Sequence, residues 1–106
     1  MSYINSYKEL IVLQKAIELV KLIYMITENF PKPQLSDLTK QMRRCAMPIP
    51  SNTAEGYARK SSRKYPLAFG SARELETQLI IAKELQFLDE TDFSPAIIYS
   101  LKYYVC

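Results

Sequence analysis

Histidine and tryptophan are absent from this 106-residue sequence, and glycine and cysteine occur only twice each. Without histidine there can be no Cys/His metal site and no Cys–His nucleophile. Two glycines supply little of the turn material that an all-β fold needs. The two cysteines, Cys45 and Cys106, make no disulfide framework, and we expect Cys45 to behave as a small buried hydrophobe.

Long apolar runs are absent as well. No segment approaches the ~18 uninterrupted apolar residues of a membrane span. Residues 1–5 have neither the charged region nor the apolar region of a signal peptide. We therefore expect a reduced, cytoplasmic protein with no membrane partner. The apolar fraction of 48% and the charged fraction of 24% are those of an ordinary globular chain, and the length fits one domain spanning residues 1–106.

Apolar residues recur at helical spacing through the chain, without strand-like alternation or internal repeats. Because the connections are short and the domain is small, the expected fold is all-α, an up-down-up-down four-helix bundle. Asp89 is expected to cap the fourth helix, or Ser94 if Pro95 delays its start. The spacing predicts helices from about Tyr7 to Glu28, Gln34 to Tyr57, Tyr65 to Phe87 and Glu90 to Tyr104.

The first predicted helix carries more apolar surface than one core needs. Its two apolar stripes together cover about half of the circumference, whereas a helix in a single core needs an arc of about 100° or a little more. The surplus favours a homo-oligomer in which this helix supplies much of the interface; alternatively, it is simply a central, well-buried helix. The stripes are Leu10, Leu13, Ile17, Val20 and Tyr24, and Val12, Ala16, Leu19, Ile23, Ile26 and Phe30.

The third predicted helix has one clear apolar stripe. Gly70 within it costs about 1 kcal/mol relative to Ala, so the glycine could mark close packing against a neighbouring helix. The residues expected to face the core are Ala68, Ala72, Leu75, Leu79 and Ala82, extended by Ile81, Leu85 and Leu88.

The second predicted helix contains two prolines, Pro48 and Pro50. Proline has no N–H to donate, so the carbonyls of Arg44 and Ala46 lose their usual helical partners. The apolar rhythm nevertheless continues across the prolines. We therefore predict that this helix bends at Pro48 and Pro50 and stays broadly continuous to about Gly56.

Positive charge is concentrated between residues 40 and 64. Seven basic residues and one acidic residue, Glu55, give this segment a charge of +6, whereas the whole chain carries +3. Because Lys and Arg neutralise phosphates, the segment predicts a nucleic-acid-binding surface. Arg43 or Arg44 could instead pair internally with Glu55. The predicted surface is Lys40, Arg43, Arg44, Arg59, Lys60, Arg63 and Lys64, of which the last four are the safer candidates.

No catalytic arrangement accompanies this charge. Glu74 and Glu76 are two residues apart on a helix and point to different faces, so they make no paired-carboxylate site. The sequence has no glycine-rich phosphate loop, and Ser61 and Ser62 lack both a His base and a G-x-S-x-G context. We expect a non-enzymatic protein without a cofactor or a metal. The alternative to nucleic-acid binding is a protein-interaction scaffold with an acidic partner.

The segment R-R-C-A-M-P-I-P-S-N-T-A-E-G-Y-A-R resembles a family signature, R-R-A-A-x-S-I-P-x-N-I-A-E-G-x-x-R. The family is that of the bacterial four-helix-bundle proteins of 23S rRNA intervening sequences. Gly70 to Leu79 and the first helix, through L-x-V-x-Q-K-A, are similar to the family as well. The signature residues that match are Arg43, Arg44, Ile49, Pro50, Asn52, Ala54, Glu55, Gly56 and Arg59.

The chain departs from the family pattern in a few places. Leu13 replaces the usual Trp of the first helix, and Pro48 stands where the family commonly has Ser. Residues 64–70 look about four residues short, roughly one helical turn. With the chain ending at Cys106, the fourth helix is expected to be cut short.

What the resemblance implies is a bundle similar to the accessory protein of diversity-generating retroelements. That protein forms a homopentamer with a basic surface and binds nucleic acid and a reverse transcriptase. From this resemblance we expect a homo-oligomer, with five subunits, whose partners are RNA or DNA and a reverse transcriptase or another protein. The resemblance implies no catalytic residues.

Overall fold

The computed structural model describes the backbone of residues 7–31, 36–59 and 64–105 and the side chains of residues 9–31, 37–56 and 66–97. The described part of the chain is helical and contains no strand. The helices are α1 (Tyr7–Thr27), α2 (Ser36–Ala46), α3 (Pro48–Arg59), α4 (Lys64–Glu84) and α5 (Glu90–Val105). Since α2 and α3 are two halves of one bent helix, the fold is the predicted all-α four-helix bundle.

The helices are arranged around the bundle in chain order. α1 packs against α2, α3 and α5, and α4 packs against the same three helices. Within the described residues α1 and α4 are not neighbours, and neither are α5 and the bent helix. α1 and α4 therefore lie at opposite corners of the bundle, and so do α5 and the bent helix. Helices that follow one another in the chain are neighbours in the bundle.

One of the two apolar stripes of α1 lies wholly in the core, and α4 faces it with its own small and branched residues. Each side chain of leucine or isoleucine size contributes about 1.5–3 kcal/mol when it is fully buried, so these stripes hold the helices together. The buried residues are Val12, Ala16, Leu19, Ile23, Ile26 and Phe30 of α1 and its following turn, Met42, Ala46 and Ile49 of the bent helix, and Ala68, Ala72, Leu75, Leu79 and Ala82 of α4.

Two expectations for α4 are wrong. Ile81 and Leu85 do not extend its core stripe: they are 43% and 54% exposed, because 100° per residue carries both well around the helix from Leu79. Leu88, which follows in the turn, is buried as predicted. Gly70 marks no close packing, since it is exposed and a Cβ at this position would meet no atom within 4 Å.

The bend of the second helix is confined to Met47, the only non-helical residue between α2 and α3. The N–H of Met47 still donates to the carbonyl of Arg43, at 3.1 Å, so the helical hydrogen bonds run up to the bend. Pro48 and Pro50 then follow without N–H groups. Ile49 between them is fully buried and carries the apolar side across the joint. The prediction of one bent but continuous helix is confirmed.

α4 ends earlier than its apolar pattern predicts, at Glu84. Gln86 has a positive φ of 64°, and its N–H donates to the carbonyl of Lys83 at 2.9 Å. The N–H of Phe87 donates to the carbonyl of Ala82, also at 2.9 Å. This pair of hydrogen bonds is the Schellman ending of a helix, which usually places glycine at the residue that Gln86 occupies.

The start of α5 follows the sequence prediction. The side chain of Asp89 accepts a hydrogen bond from the N–H of Asp92 at 3.1 Å, so Asp89 is the cap and the helix begins at Glu90. Pro95 lies inside the helix and does not delay its start. Asp89 is thus confirmed as the cap over Ser94.

Candidate nucleic-acid interface

The three basic residues predicted on the second helix point in different directions. Lys40 and Arg44 are exposed, and their four-residue spacing puts them one turn apart on the outer face of α2. Arg43 is half buried, although it directly precedes Arg44. Adjacent residues of a helix are about 100° apart, which takes Arg43 toward α1.

The other four predicted residues belong to the connection between α3 and α4. Arg59 is the last residue of α3 and Lys64 is the first residue of α4, but their side chains lie outside the described residues. Lys60 and Arg63 lie outside them altogether. At about 1.5 Å per residue, Lys40 and Arg59 are up to about 28 Å apart along the bent helix. The predicted basic surface therefore divides into two groups, one on α2 and one between α3 and α4.

Arg43 holds α2 to the last turn of α1. Its Nε donates to the hydroxyl of Thr27 at 2.9 Å, and its guanidinium also donates to the carbonyl of Tyr24 at 3.3 Å. The guanidinium lies over the Tyr24 ring, 4.6 Å from the ring centre, and 3.6 Å from the carboxylate of Glu28. The Arg43 side chain thus makes two hydrogen bonds, a ring contact and an ion pair with the C-terminal end of α1.

Thr27 makes this contact possible from inside the bundle. Its side chain is only 2% exposed, and its hydroxyl donates to the carbonyl of Ile23 at 2.7 Å. With its proton committed to that carbonyl, the hydroxyl oxygen is free to accept the hydrogen bond from Arg43. A buried hydroxyl without a partner would be costly, so Arg43 and Thr27 stabilise the bundle as a pair.

These contacts change the electrostatics of the second helix. The charge of Arg43 is directed toward α1 and is partly neutralised by Glu28, whereas Lys40 and Arg44 face solvent. The sequence left open whether Arg43 or Arg44 pairs internally with Glu55; the structure shows Arg43 bonded to Thr27 and Tyr24 of α1. The sequence signal for this contact is Thr27, a polar residue on the apolar arc of α1.

Cys45 is a free cysteine of α2, next to Arg44, and its surroundings favour the protonated thiol. The thiol donates to a Glu74 carboxylate oxygen at 3.2 Å and accepts a hydrogen bond from the Gln78 amide at 3.4 Å. Burial, followed by the hydrogen bond to Glu74, raises the pKa of the Cys45 thiol. A protonated thiol is a poor nucleophile, so this cluster joins α2 to α4 and does not activate a cysteine.

No helix in the part of the chain that the structure describes is both long enough and apolar enough to cross a membrane. Within it, no group of three or more His, Cys, Asp or Glu side chains is placed to bind a metal ion.

Comparison with known proteins places the chain in a family. No curated protein matches it. The model of the 23S rRNA-intervening sequence protein family matches residues 8–98, a span that covers nearly all of α1, the bent helix, α4 and the first half of α5. Given this match over most of its length, the chain belongs to the family of 23S rRNA-intervening sequence proteins.

Proposed function

We propose that this protein is a non-enzymatic homo-oligomer that binds RNA or DNA through a basic surface and acts as an accessory factor. The observation that carries the proposal is the +6 charge between residues 40 and 64, with Lys40 and Arg44 exposed one turn apart on α2. The family takes its name from intervening sequences of 23S rRNA, and this is consistent with RNA as the ligand.

The proposed interface consists of the outer face of α2 and the connection between α3 and α4. Lys40 and Arg44 contribute to the first part, and Arg59, Lys60, Arg63 and Lys64 to the second. Arg43 belonged to the interface predicted from the sequence, but its contacts with Thr27 and Tyr24 favour a structural role. Phosphate contacts of this kind are largely independent of sequence and weaken steeply with salt.

Assembly strengthens this proposal, because a ring or cluster of subunits repeats the same basic surface. Several weak contacts made at once bind far more tightly than one. The outer apolar stripe of α1 supports self-association: Ile17 and Tyr24 are 42% and 38% exposed although they continue a stripe whose Leu13 is buried. By family resemblance the proposed number of subunits is five, and the proposed protein partner is a reverse transcriptase.

A pair of double variants tests nucleic-acid binding against general charge effects. Replacing Lys40 and Arg44 with Gln removes two exposed charges from the proposed interface. Replacing Lys15 and Lys21 with Gln removes two charges from α1 as the matched control. Each phosphate contact removed lowers the slope of log affinity against log salt by about one. We expect the first variant to bind a structured RNA more weakly with a shallower slope, and the control to bind like the parent.

The larger test replaces Arg59, Lys60, Arg63 and Lys64 together with Gln. The variant should lose most RNA and DNA binding at every salt concentration while its far-ultraviolet circular dichroism stays unchanged. If the folded variant binds like the parent, the basic surface is only a solvated face. The second candidate, a scaffold for an acidic protein partner, would then replace nucleic-acid binding.

A further inference from the structure

The tyrosines of the chain are concentrated at one end of the bundle, which we call the tyrosine end. It is defined by the first turns of α1 and α4 and the last turns of α3 and α5. These turns lie together because short connections make consecutive helices run in opposite directions. At the other end, the rings of Phe30 and Phe87, which follow α1 and α4, are 5.9 Å apart. The tyrosines whose backbone lies in the tyrosine end are Tyr7, Tyr57, Tyr65, Tyr103 and Tyr104.

Each of these turns also carries a cation within two residues of its tyrosine. The molecule is 42 Å long but only 23 × 20 Å across, so the turns at one end are separated by no more than the width of the bundle. The acidic residues nearby, Glu9 and Glu55, are half buried. The fold thus brings together pairs of a cation and an aromatic residue that are far apart in the sequence. The cations are Lys8, Arg59, Lys64 and Lys102.

Two of the tyrosines continue the core stripes of their helices beyond the last apolar layer. By register, Tyr57 follows the buried Thr53 by one turn, and Tyr65 precedes the buried Ala68 by one turn. The other end of the core is closed by Phe30, which is 4% exposed. Tyrosine adds a hydroxyl to the same ring, which suits a position where one side is apolar and the other is wet. The residue type therefore fits both core packing and contact with a ligand.

The two ends of the bundle also differ in exposure and charge. Leu67, in the same turn of α4 as Lys64 and Tyr65, has a side chain that is 52% exposed, so apolar surface meets solvent at the tyrosine end. At the other end acidic residues predominate, so phosphates are repelled there and attracted to the tyrosine end. These acidic residues are Glu28, Asp37, Glu84, Asp89, Glu90 and Asp92.

We infer that the tyrosine end binds single-stranded nucleic acid, with unpaired bases stacked on tyrosine rings and phosphates held by the neighbouring cations. The inference rests on the proposed nucleic-acid binding and specifies its ligand class. Arg59 and Lys64 already belong to the proposed interface, whereas Lys8, Lys102 and the tyrosines are added to it. Proteins that bind single strands combine positive charge along the backbone with aromatic side chains on which bases stack. The bases of a duplex already stack on one another, so a duplex can use the cations but not the rings.

The first test uses the fluorescence of the parent chain. The sequence has no tryptophan, so its intrinsic emission comes from tyrosine. Stacking of a base on the ring quenches this emission, whereas a phosphate contact leaves the ring unaffected. We expect oligouridine to quench the emission and to bind more tightly than an RNA duplex of the same length. Binding of oligouridine without quenching would overturn the inference and leave the proposed nucleic-acid binding standing. A parent that binds neither ligand would overturn both.

The second test separates stacking from packing with two double variants. Tyr57→Leu with Tyr65→Leu removes two rings but keeps apolar side chains, whereas Tyr57→Phe with Tyr65→Phe keeps the rings. Stacking of one base changes affinity by about fivefold or more. We expect the leucine variant to bind oligouridine at least about fivefold more weakly and the duplex like the parent. The phenylalanine variant should bind both ligands like the parent.

Tyr24→Leu, at the other end of the bundle, is the matched control and should leave both affinities unchanged. Circular dichroism verifies that each variant is folded, and the quenching of the parent decides the question if the leucine variant is not. Equal losses for oligouridine and duplex, or equal losses in the leucine and phenylalanine variants, would overturn the inference. The Gln variants of the cations in the proposed interface measure separately whether nucleic-acid binding itself stands.

Discussion

α1 and α4 are both 21 residues long, but their last turns are completed in different ways. α1 has no basic residue in its last turn, and the cation that donates to a carbonyl there, that of Tyr24, is Arg43, supplied by α2. α4 carries its own Lys83 and ends in hydrogen bonds within its own backbone. One helix end thus depends on a tertiary contact, and the other is encoded locally.

The difference has consequences for the sequence signature of the family. Arg43 and Arg44 are adjacent in that signature and are chemically identical, yet Arg43 serves the fold and Arg44 faces solvent. Ile49 is a fully buried core residue, and Pro50 lies in the first turn of α3, just after the bend. A motif that looks basic and functional in the sequence is therefore, in large part, a device that positions α2 and α3.

The largest effect should come from Arg43→Met, which keeps the aliphatic stem and removes the charged hydrogen bonds. Hydrogen bonds to charged groups contribute about 1.5–3 kcal/mol, and the ring contact adds somewhat less. We expect the free energy of unfolding to fall by about 2 kcal/mol in urea titrations followed by circular dichroism. The matched control, Arg44→Met, should change stability by less than about 0.5 kcal/mol. Equal effects at both positions would refute the structural role of Arg43.

A smaller loss is expected at the start of α5, where the junction with α4 is encoded locally. Asp89→Ala removes the side-chain oxygen that accepts the N–H of Asp92, and losing such a cap costs about 1 kcal/mol. Asp89→Asn retains a capping oxygen and should recover most of the loss. The same urea titrations measure both variants. If Asn were as damaging as Ala, the loss would not arise from the cap.

The end of α4 should respond in the opposite direction. Gln86 has a φ of 64°, a conformation that glycine adopts without the steric cost paid by residues with a Cβ. Gln86→Gly should stabilise the protein by about 0.5–1 kcal/mol, after allowing for the greater freedom of glycine in the unfolded chain. Gln86→Ala keeps the Cβ and should give no such gain. A gain from Ala equal to that from Gly would indicate another cause.

Much of the fold follows from sequence periodicity, and the residues that escaped prediction explain why the rest does not. The core stripe of α1, the bend at Met47 and the Asp89 cap all depend on neighbours within a few residues. The contact between Arg43 and Thr27 joins residues sixteen positions apart, and apolar spacing marks Thr27 as a polar residue on the arc of α1 without identifying Arg43 as its partner. The exposure of Ile81 shows the same limit, because periodicity detects apolar residues but does not identify their partner.

The smallest effect concerns pH at the junction of α4 and α5. The Lys83 ammonium, 2.7 Å from Glu90, and the Ser94 hydroxyl, 2.8 Å from it, lower the pKa of the Glu90 carboxyl below its ordinary value of 4.5. A carboxyl whose pKa is lower in the folded state stabilises the protein above its unfolded pKa, and this contribution is lost as the pH falls through the folded pKa.

Lys83 also lies 4.5 Å from the centre of the Phe93 ring, so the same cation holds two residues of α5. We therefore expect the melting temperature of the parent to exceed that of Glu90→Gln slightly at neutral pH. The difference should shrink as the pH is lowered below about 4.5 and should also shrink in high salt, because the pair is exposed. Thermal melts from pH 7 to pH 3 at two salt concentrations measure both trends. A difference that stayed constant across this range would show that the lost carboxylate acts through something other than its charge.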